Sequence, residues 1–108
     1  MPRRGEVYWV ELDPILGSEI GKTRPCVVVT NDIANERRRT VVVVPLSTSP
    51  TSAPPLLVPV ECDGRPAVAV IDQIRAVAKL RLRGKLGDLS WPDMAAIEAA
   101  MRRVFDLN

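Results

Sequence analysis

Apolar and polar positions fall into short, strand-length blocks along most of this chain, and only the C-terminal stretch changes to a helical period. Residues 6–12 alternate around Val7, Tyr8, Trp9 and Val10, and Asp13-Pro14 ends the run. A polar loop over 15–23 follows, with Gly17 and Gly21 inside it. Residues 26–30 have the unbroken apolar, β-branched composition of a buried strand, with Pro25 at its start, where a missing N–H is tolerated. Asn31-Asp32 reads as a turn or helix cap, and 33–38 as one short helical turn. Residues 40–46 form a third, strongly β-branched strand with Pro45 near its end. The Ser/Thr/Pro-rich stretch 47–55 is a loop between strands, being too short for an interdomain linker. Residues 56–60 and 67–71 are the next two strands, joined through the hairpin signal Asp63-Gly64. The chain stays extended over 73–77. Residues 79–89 then suggest a turn and a short strand around 84–89.

The last element is a helix. Ser90 and Asp93 have the spacing of a capping box, with Asp in place of the usual Glu, and Pro92 falls in the first turn. Met94, Ile97, Met101, Val104 and Phe105 share one face, which reads as core or dimer packing. Glu98 and Arg102 lie four apart and can pair. Many short strands followed by one capped helix predict a mainly β fold: a small twisted antiparallel sheet packed by a C-terminal helix.

Composition refines this picture. With 108 residues the expectation is one domain over 1–108, small enough for a second copy to cover part of its apolar surface. A net charge of +2 does not by itself indicate nucleic-acid binding, so the placement of charge matters more. Arg37, Arg38 and Arg39 form one basic cluster; Lys79, Arg81, Arg83 and Lys85 form another. Either is a solvated face or a patch for phosphates. The chain has no histidine, which removes His-based triads and histidine acid/base chemistry. Cys26 and Cys62 are isolated and make no metal motif, so neither metal nor cofactor is expected. The basic Met1-Pro2-Arg3-Arg4 start is not followed by an apolar signal core, and the longest apolar run, 41–46, is too short to span a bilayer. The expectation is a cytoplasmic protein with reduced thiols and no membrane partner.

The candidate chemistry centres on residues 17–32. There a polar loop with two glycines runs into Arg24-Pro25 and then directly into a strand. Pro25 biases Arg24 toward an extended conformation at the junction of loop and sheet. The Arg24 guanidinium offers a planar fork of N–H donors suited to phosphate; the alternative is an ordinary ion pair.

Three blocks carry a resemblance. They are Arg4-Gly5-Glu6-Val7-Tyr8-Trp9-Val10 through Gly17-Ser18-Glu19-Ile20-Gly21-Lys22-Thr23-Arg24-Pro25, then Val42-Val43-Val44-Pro45-Leu46-Ser47, then Asp72-Gln73-Ile74-Arg75-Ala76-Val77. In this order they resemble the MazF/PemK-type toxins over nearly the whole chain. The resemblance implies an SH3-like barrel of twisted antiparallel strands with appended helices, MazF/CcdB-like, in a two-fold homodimer. It implies a ribosome-independent, metal-independent endoribonuclease that cuts single-stranded RNA at specific sequences, neutralised by a cognate antitoxin with an acidic disordered tail.

The resemblance also implies site residues. Arg24 stands where the family uses an arginine at the scissile phosphate. Ser47 stands at the position of the family's threonine and Thr48 one step later; both are retained, because neighbouring strand residues point to opposite faces unless the strand has ended. Glu19 matches a loop acid near the substrate. Asp72 matches the general base of some members, although the arginine that precedes that base by two residues is Val70 here. Gly17, Ser18, Gly21, Lys22, Thr23, Ser49 and Gln73 are the implied RNA-binding positions. With Trp9 assigned to the core and Trp91 and Phe105 to the helix region, no aromatic stacking platform is expected, and base recognition falls to the loops 15–23 and 47–55. Two other readings compete. A CcdB-type gyrase poison shares the fold but ends in Trp-Gly-Ile, unlike Phe105-Asp106-Leu107-Asn108. A non-catalytic SH3-like interaction module would have no use for the Arg24 constellation.

Overall fold

The computed structural model describes residues 1–14, 16–48 and 51–108. Seven strands and two helices follow in order: β1 (Glu6–Glu11), β2 (Thr23–Val28), α1 (Asp32–Arg37), β3 (Thr40–Ser47), β4 (Leu57–Cys62), β5 (Arg65–Val70), β6 (Arg75–Ala78), β7 (Leu82–Asp88) and α2 (Trp91–Val104). Single 3-10 turns, Ile71–Gln73 and Lys79–Arg81, flank β6. The strands run antiparallel in the order β4-β5-β3-β2-β1-β7, with β6 also on β3. The sheet curls into a half-barrel until its ends come close: a Cβ on Gly87 of β7 would lie 3.8 Å from the Cys62 sulfur at the end of β4.

The unbroken apolar runs have a simple cause. Val27, Val29 and Val44 face one core with Leu46, Ile71, Met94 and Ile97, under α2. Cys26, Val28, Val41 and Val43 face a second core with Val10, Leu12 and Val77, on the other side of the sheet. Central strands buried on both faces show no alternation. Burial also pushes the Cys26 thiol up to about 12, so it stays a neutral core residue.

Strand β3 changes partners along its length. Thr40–Val43 pair with β6, Val43–Pro45 with β2, and Leu46 and Ser47 with Ala69 and Val68 of β5. Strand β2 meanwhile stays with β1, Trp9 opposite Pro25 and Val10 opposite Arg24. The two strands therefore diverge beyond the Cys26–Pro45 pair. Pro25 stands third in β2 rather than at its start, as the sequence suggests. The position is permitted because the β2–β3 pairing begins only at Cys26, which leaves that side of Pro25 outside the ladder.

Helix α2 is capped as expected at Ser90, whose hydroxyl accepts from the Asp93 N–H at 3.2 Å. The reciprocal half of the box is missing. The Asp93 carboxylate instead accepts from the Glu61 N–H of edge strand β4, at 2.8 Å. On the same strand Leu57 donates to the Ala53 carbonyl at 3.0 Å, and Pro59 has no N–H. Met94, Ile97 and Ala100 are the buried residues of α2. Phe105 lies past the helix end and is exposed, not core. Among the described residues no helix is long and apolar enough to cross a membrane.

The basic stretch at 79–85 is largely occupied. Arg81 donates to the carbonyls of Glu11 and Asp13, Arg83 pairs with Glu11, and Lys85 bridges Glu6 at 2.9 Å and Asp88 at 3.2 Å. These contacts fasten β7 to β1. For Glu6, partial burial raises the pKa, but the Lys85 ammonium, the Arg3 N–H and the Tyr8 hydroxyl outweigh it and hold the carboxyl below its ordinary value of 4.5. A depressed carboxyl stabilises the fold above its unfolded pKa and loses that contribution as pH falls through its folded pKa. Glu6→Gln is expected to flatten the acid limb of a stability–pH curve below about pH 4.5. Urea titrations of both proteins from pH 7 to pH 3 check this.

Candidate active site

A cavity of about 310 Å³ opens where β2 and β3 diverge. Trp9, Arg24 and Pro25 supply one side; Leu46, Ser47 and Thr48 come from the end of β3; Cys62, Asp63, Arg65, Pro66 and Ala67 come from the β4–β5 hairpin; Leu86 comes from β7. The tip of that hairpin is the predicted Asp63-Gly64 turn, with both residues at positive φ (54° and 73°). The floor is apolar and the polar groups converge on it, as in most ligand sites.

Arg24 is exposed, and its guanidinium has no ion-pair or hydrogen-bond partner among the described residues. The ordinary-ion-pair alternative is therefore not realised. Arg24 also lies within β2 rather than at the loop junction, so its backbone is fixed by pairing with Val10. Rigid backbone under an unpartnered charge is an arrangement that meets an anion with little reorganisation. Ser47 and Thr48 both line the cavity. Strict alternation would send them to opposite sides, but β3 ends at Ser47, and Thr48 belongs to the loop.

The remaining predicted residues form a second group. The Glu19 carboxylate accepts from the Leu16 N–H at 2.8 Å and closes a turn of the β1–β2 loop. Gln73 accepts from the Ile20 N–H at 3.3 Å and ties that loop to the 3-10 turn. The loop neck is closed by Lys22, at φ 63°, whose N–H donates to Asp13 at 2.8 Å and whose carbonyl accepts from Leu12 at 2.8 Å. Gly17, at φ 64°, supplies a left-handed corner, and Gly21 and Ser18 lie in the same loop. Thr23 opens β2 beside Arg24. Asp72 is exposed on the 3-10 turn and makes no ion pair among the described residues; the nearby Arg75 instead donates to the Leu12 carbonyl at 3.2 Å. None of Gly17, Ser18, Glu19, Gly21, Lys22, Thr23, Asp72 and Gln73 is on the described cavity wall. Ser49 falls outside the described residues.

Three wall residues escape the sequence reading. Arg65 is exposed, without a partner among the described residues, and Asp63 stands beside it at the hairpin tip. Only the Asp63-Gly64 signal pointed there, and it read as a turn. Trp9 is 41% exposed on the cavity wall and is not a core residue. Its place in a strand between valines concealed this: Val7 and Val10 are both buried, but in different cores. The Arg37, Arg38 and Arg39 cluster precedes the Thr40 end of β3, the end opposite Ser47. Among the described residues no group of three or more His, Cys, Asp or Glu is arranged to hold a metal.

The curled antiparallel half-barrel with its C-terminal helix is a fold shared with solved endoribonuclease structures. Residues 3–105 match the model of the PemK-like, MazF-like toxins of type II toxin–antitoxin systems, and the chain belongs to that family. It is 35% identical over 113 residues to the endoribonuclease MazF of Staphylococcus epidermidis, covering 100% of this chain and 94% of that protein. It is 35% identical over 121 residues to the endoribonuclease MazF9 of Mycobacterium tuberculosis, covering 99% and 98%. Among solved structures, a mycobacterial endoribonuclease in complex with its cognate antitoxin superposes with a TM-score of 0.84 at 25% identity, covering 100% of this chain and 98% of that one.

The tie between loop and turn makes a direct prediction. Gln73→Ala should speed hydrogen exchange and proteolytic nicking in the loop 13–22. Its cost in global stability should stay near the roughly 0.5–1.5 kcal/mol of one hydrogen bond.

Proposed function

We propose that this chain is an endoribonuclease toxin that cuts single-stranded RNA in the Arg24 cavity and is held in check by a cognate antitoxin. The observation that carries the reading is Arg24: a fixed, unpartnered guanidinium sharing one cavity with the Ser47 and Thr48 hydroxyls. Family membership and two curated relatives named as endoribonucleases support it. A cytoplasmic homodimer, each copy a single toxin domain over 1–108, is the reading that goes with this activity.

The chemistry follows from what the site contains. A chain without histidine lacks the usual group for activating water. The ribose 2′-OH lies beside the scissile phosphate, so its attack is intramolecular and gains from proximity. The 2′ oxygen forms a bond to phosphorus as the bond to the 5′ oxygen breaks, leaving a 2′,3′-cyclic phosphate upstream and a 5′-OH downstream. Arg24 stabilises the charge that develops on the non-bridging oxygens. One of Ser47 and Thr48 donates a hydrogen bond to the same phosphate. A carboxylate takes the 2′-OH proton, and the departing 5′ oxygen takes up one proton from water, so that the proton count balances. Asp63 is the one carboxylate on the described cavity wall, whereas Glu19 and Asp72 reach substrate only if the β1–β2 loop and the 3-10 turn close over it. The antitoxin's acidic tail would compete with RNA for Arg24 and Arg65, so their complex should weaken with salt.

Arg24→Ala should leave circular dichroism unchanged and reduce kcat/KM by about 10²–10³-fold, the scale for one lost transition-state donor. Arg24→Lys should recover little, because the planar fork is lost. Cleavage of a defined oligoribonucleotide should survive EDTA and stop when the ribose before the cut is replaced by deoxyribose. A 5′-phosphate product would overturn the 2′-OH mechanism. Asp63→Asn, Glu19→Gln and Asp72→Asn, compared in single-turnover assays, identify the proton acceptor as the variant with the largest fall in kcat.

A further inference from the structure

Resting on that reading, we propose that Trp9 is a base-stacking platform. It would hold one unstacked base of the substrate against the apolar floor, with the backbone on either side of that base gripped by Arg24 and Arg65.

The indole is out of place as a packing residue. It is 41% exposed, although its strand neighbours Val7 and Val10 are fully buried. Its partners across the sheet leave it uncovered. Pro25 faces it on β2 and Gly84 on β7, and a Cβ built on Gly84 meets nothing within 4 Å. The irregularity between Trp9 and Val10 in the β1–β7 register falls at the same point. The ring opens on the cavity that holds Arg24, where Leu46, Pro66, Ala67 and Leu86 supply apolar walls.

Charge is arranged to match. Arg24 on β2 and Arg65 on β5 reach this cavity from different strands, and neither has a partner among the described residues. By contrast Arg81, Arg83 and Lys85 of the neighbouring basic stretch are engaged. An aromatic face with flanking free cations is how single-stranded nucleic acid is held without Watson–Crick pairing. Arg24 sits at the bond that breaks. Arg65 takes the next phosphate. Trp9 sets the base between them, and with it the register of the cut.

The test uses an oligoribonucleotide with a single cut site and a parallel series carrying one abasic ribose at each position around it. Trp9→Leu should raise KM by about 5- to 150-fold, the range spanned by loss of one base stack. It should change kcat far less, and Trp9→Phe should restore most of the loss. One abasic position, and only one, should raise KM for the wild-type protein while costing Trp9→Leu nothing further. Arg65→Ala should weaken all substrates alike and flatten the salt dependence of binding. In a Trp91→Phe background, a non-cleavable deoxy-substituted oligonucleotide should quench the fluorescence of Trp9. If the abasic and Trp9→Leu effects multiply at every position, or quenching is absent at saturation, the platform is wrong while the nuclease reading stands. If the wild-type protein leaves every RNA intact, it is the nuclease reading that fails. Unchanged circular dichroism and gel-filtration volume for Trp9→Leu exclude misfolding as the cause.

Discussion

The structure depends on one constraint in strand β3, which cannot keep the same neighbour along its whole length. Pro45 is the last residue paired with β2; Leu46 and Ser47 have turned to β5. Two sheet segments that share a strand and then part leave a wedge between them. On one side β2 remains paired with β1, and on the other the end of β3 is paired with β5. What remains is a cleft walled by paired strands. The candidate residues of the cavity stand on those walls: Arg24 on β2, Ser47 at the end of β3 with Thr48 just past it, and Asp63 and Arg65 on the β4–β5 hairpin.

Charge placement follows the same economy. The chain carries more basic than acidic residues, yet the cations of β7 are used to fasten it to β1 and the chain segment that follows β1. Arg4 likewise donates to the Val29 carbonyl at 3.0 Å and pairs with Glu98 of α2 at 3.3 Å. Exposed pairs of this kind contribute little stability singly. They do consume positive charge outside the cleft. The two cleft arginines are left to set the local potential, which an overall charge near neutral would not reveal.

Much of this was legible in the sequence. Strand blocks, the Asp63-Gly64 hairpin, the Ser90 cap and the helix stripe are local signals, and each appears at its place within a few residues. Arg24, Ser47 and Thr48 were visible because the family blocks frame them. Asp93 was misread as half of a capping box because its real partner, the Glu61 N–H, is 32 residues away in sequence. Trp9 was misassigned because a curled sheet has two cores, so a residue between buried valines need not be buried. Arg65 lay unseen because nothing in Arg-Pro-Ala announces that the hairpin folds back over the Arg24 strand. Glu19 and Gln73 were legible as candidate substrate positions, Gln73 equally as an amide that fixes a loop, and the hydrogen bonds they make here hold the β1–β2 loop.

The edge of the sheet at β4 has a consequence for how any extended partner can attach. An antiparallel edge recruits a foreign strand through its outward N–H groups, here those at positions 57, 59 and 61. Leu57 spends its N–H on Ala53, Pro59 has none, and Glu61 gives its own to Asp93. The edge can accept hydrogen bonds but has none of these three to offer. A peptide laid along it would meet a one-sided ladder. Recruitment by strand addition is therefore disfavoured on this side, both for a regulatory tail and for a second copy in a growing fibril. A tail that grips this edge has to be recognised by its side chains.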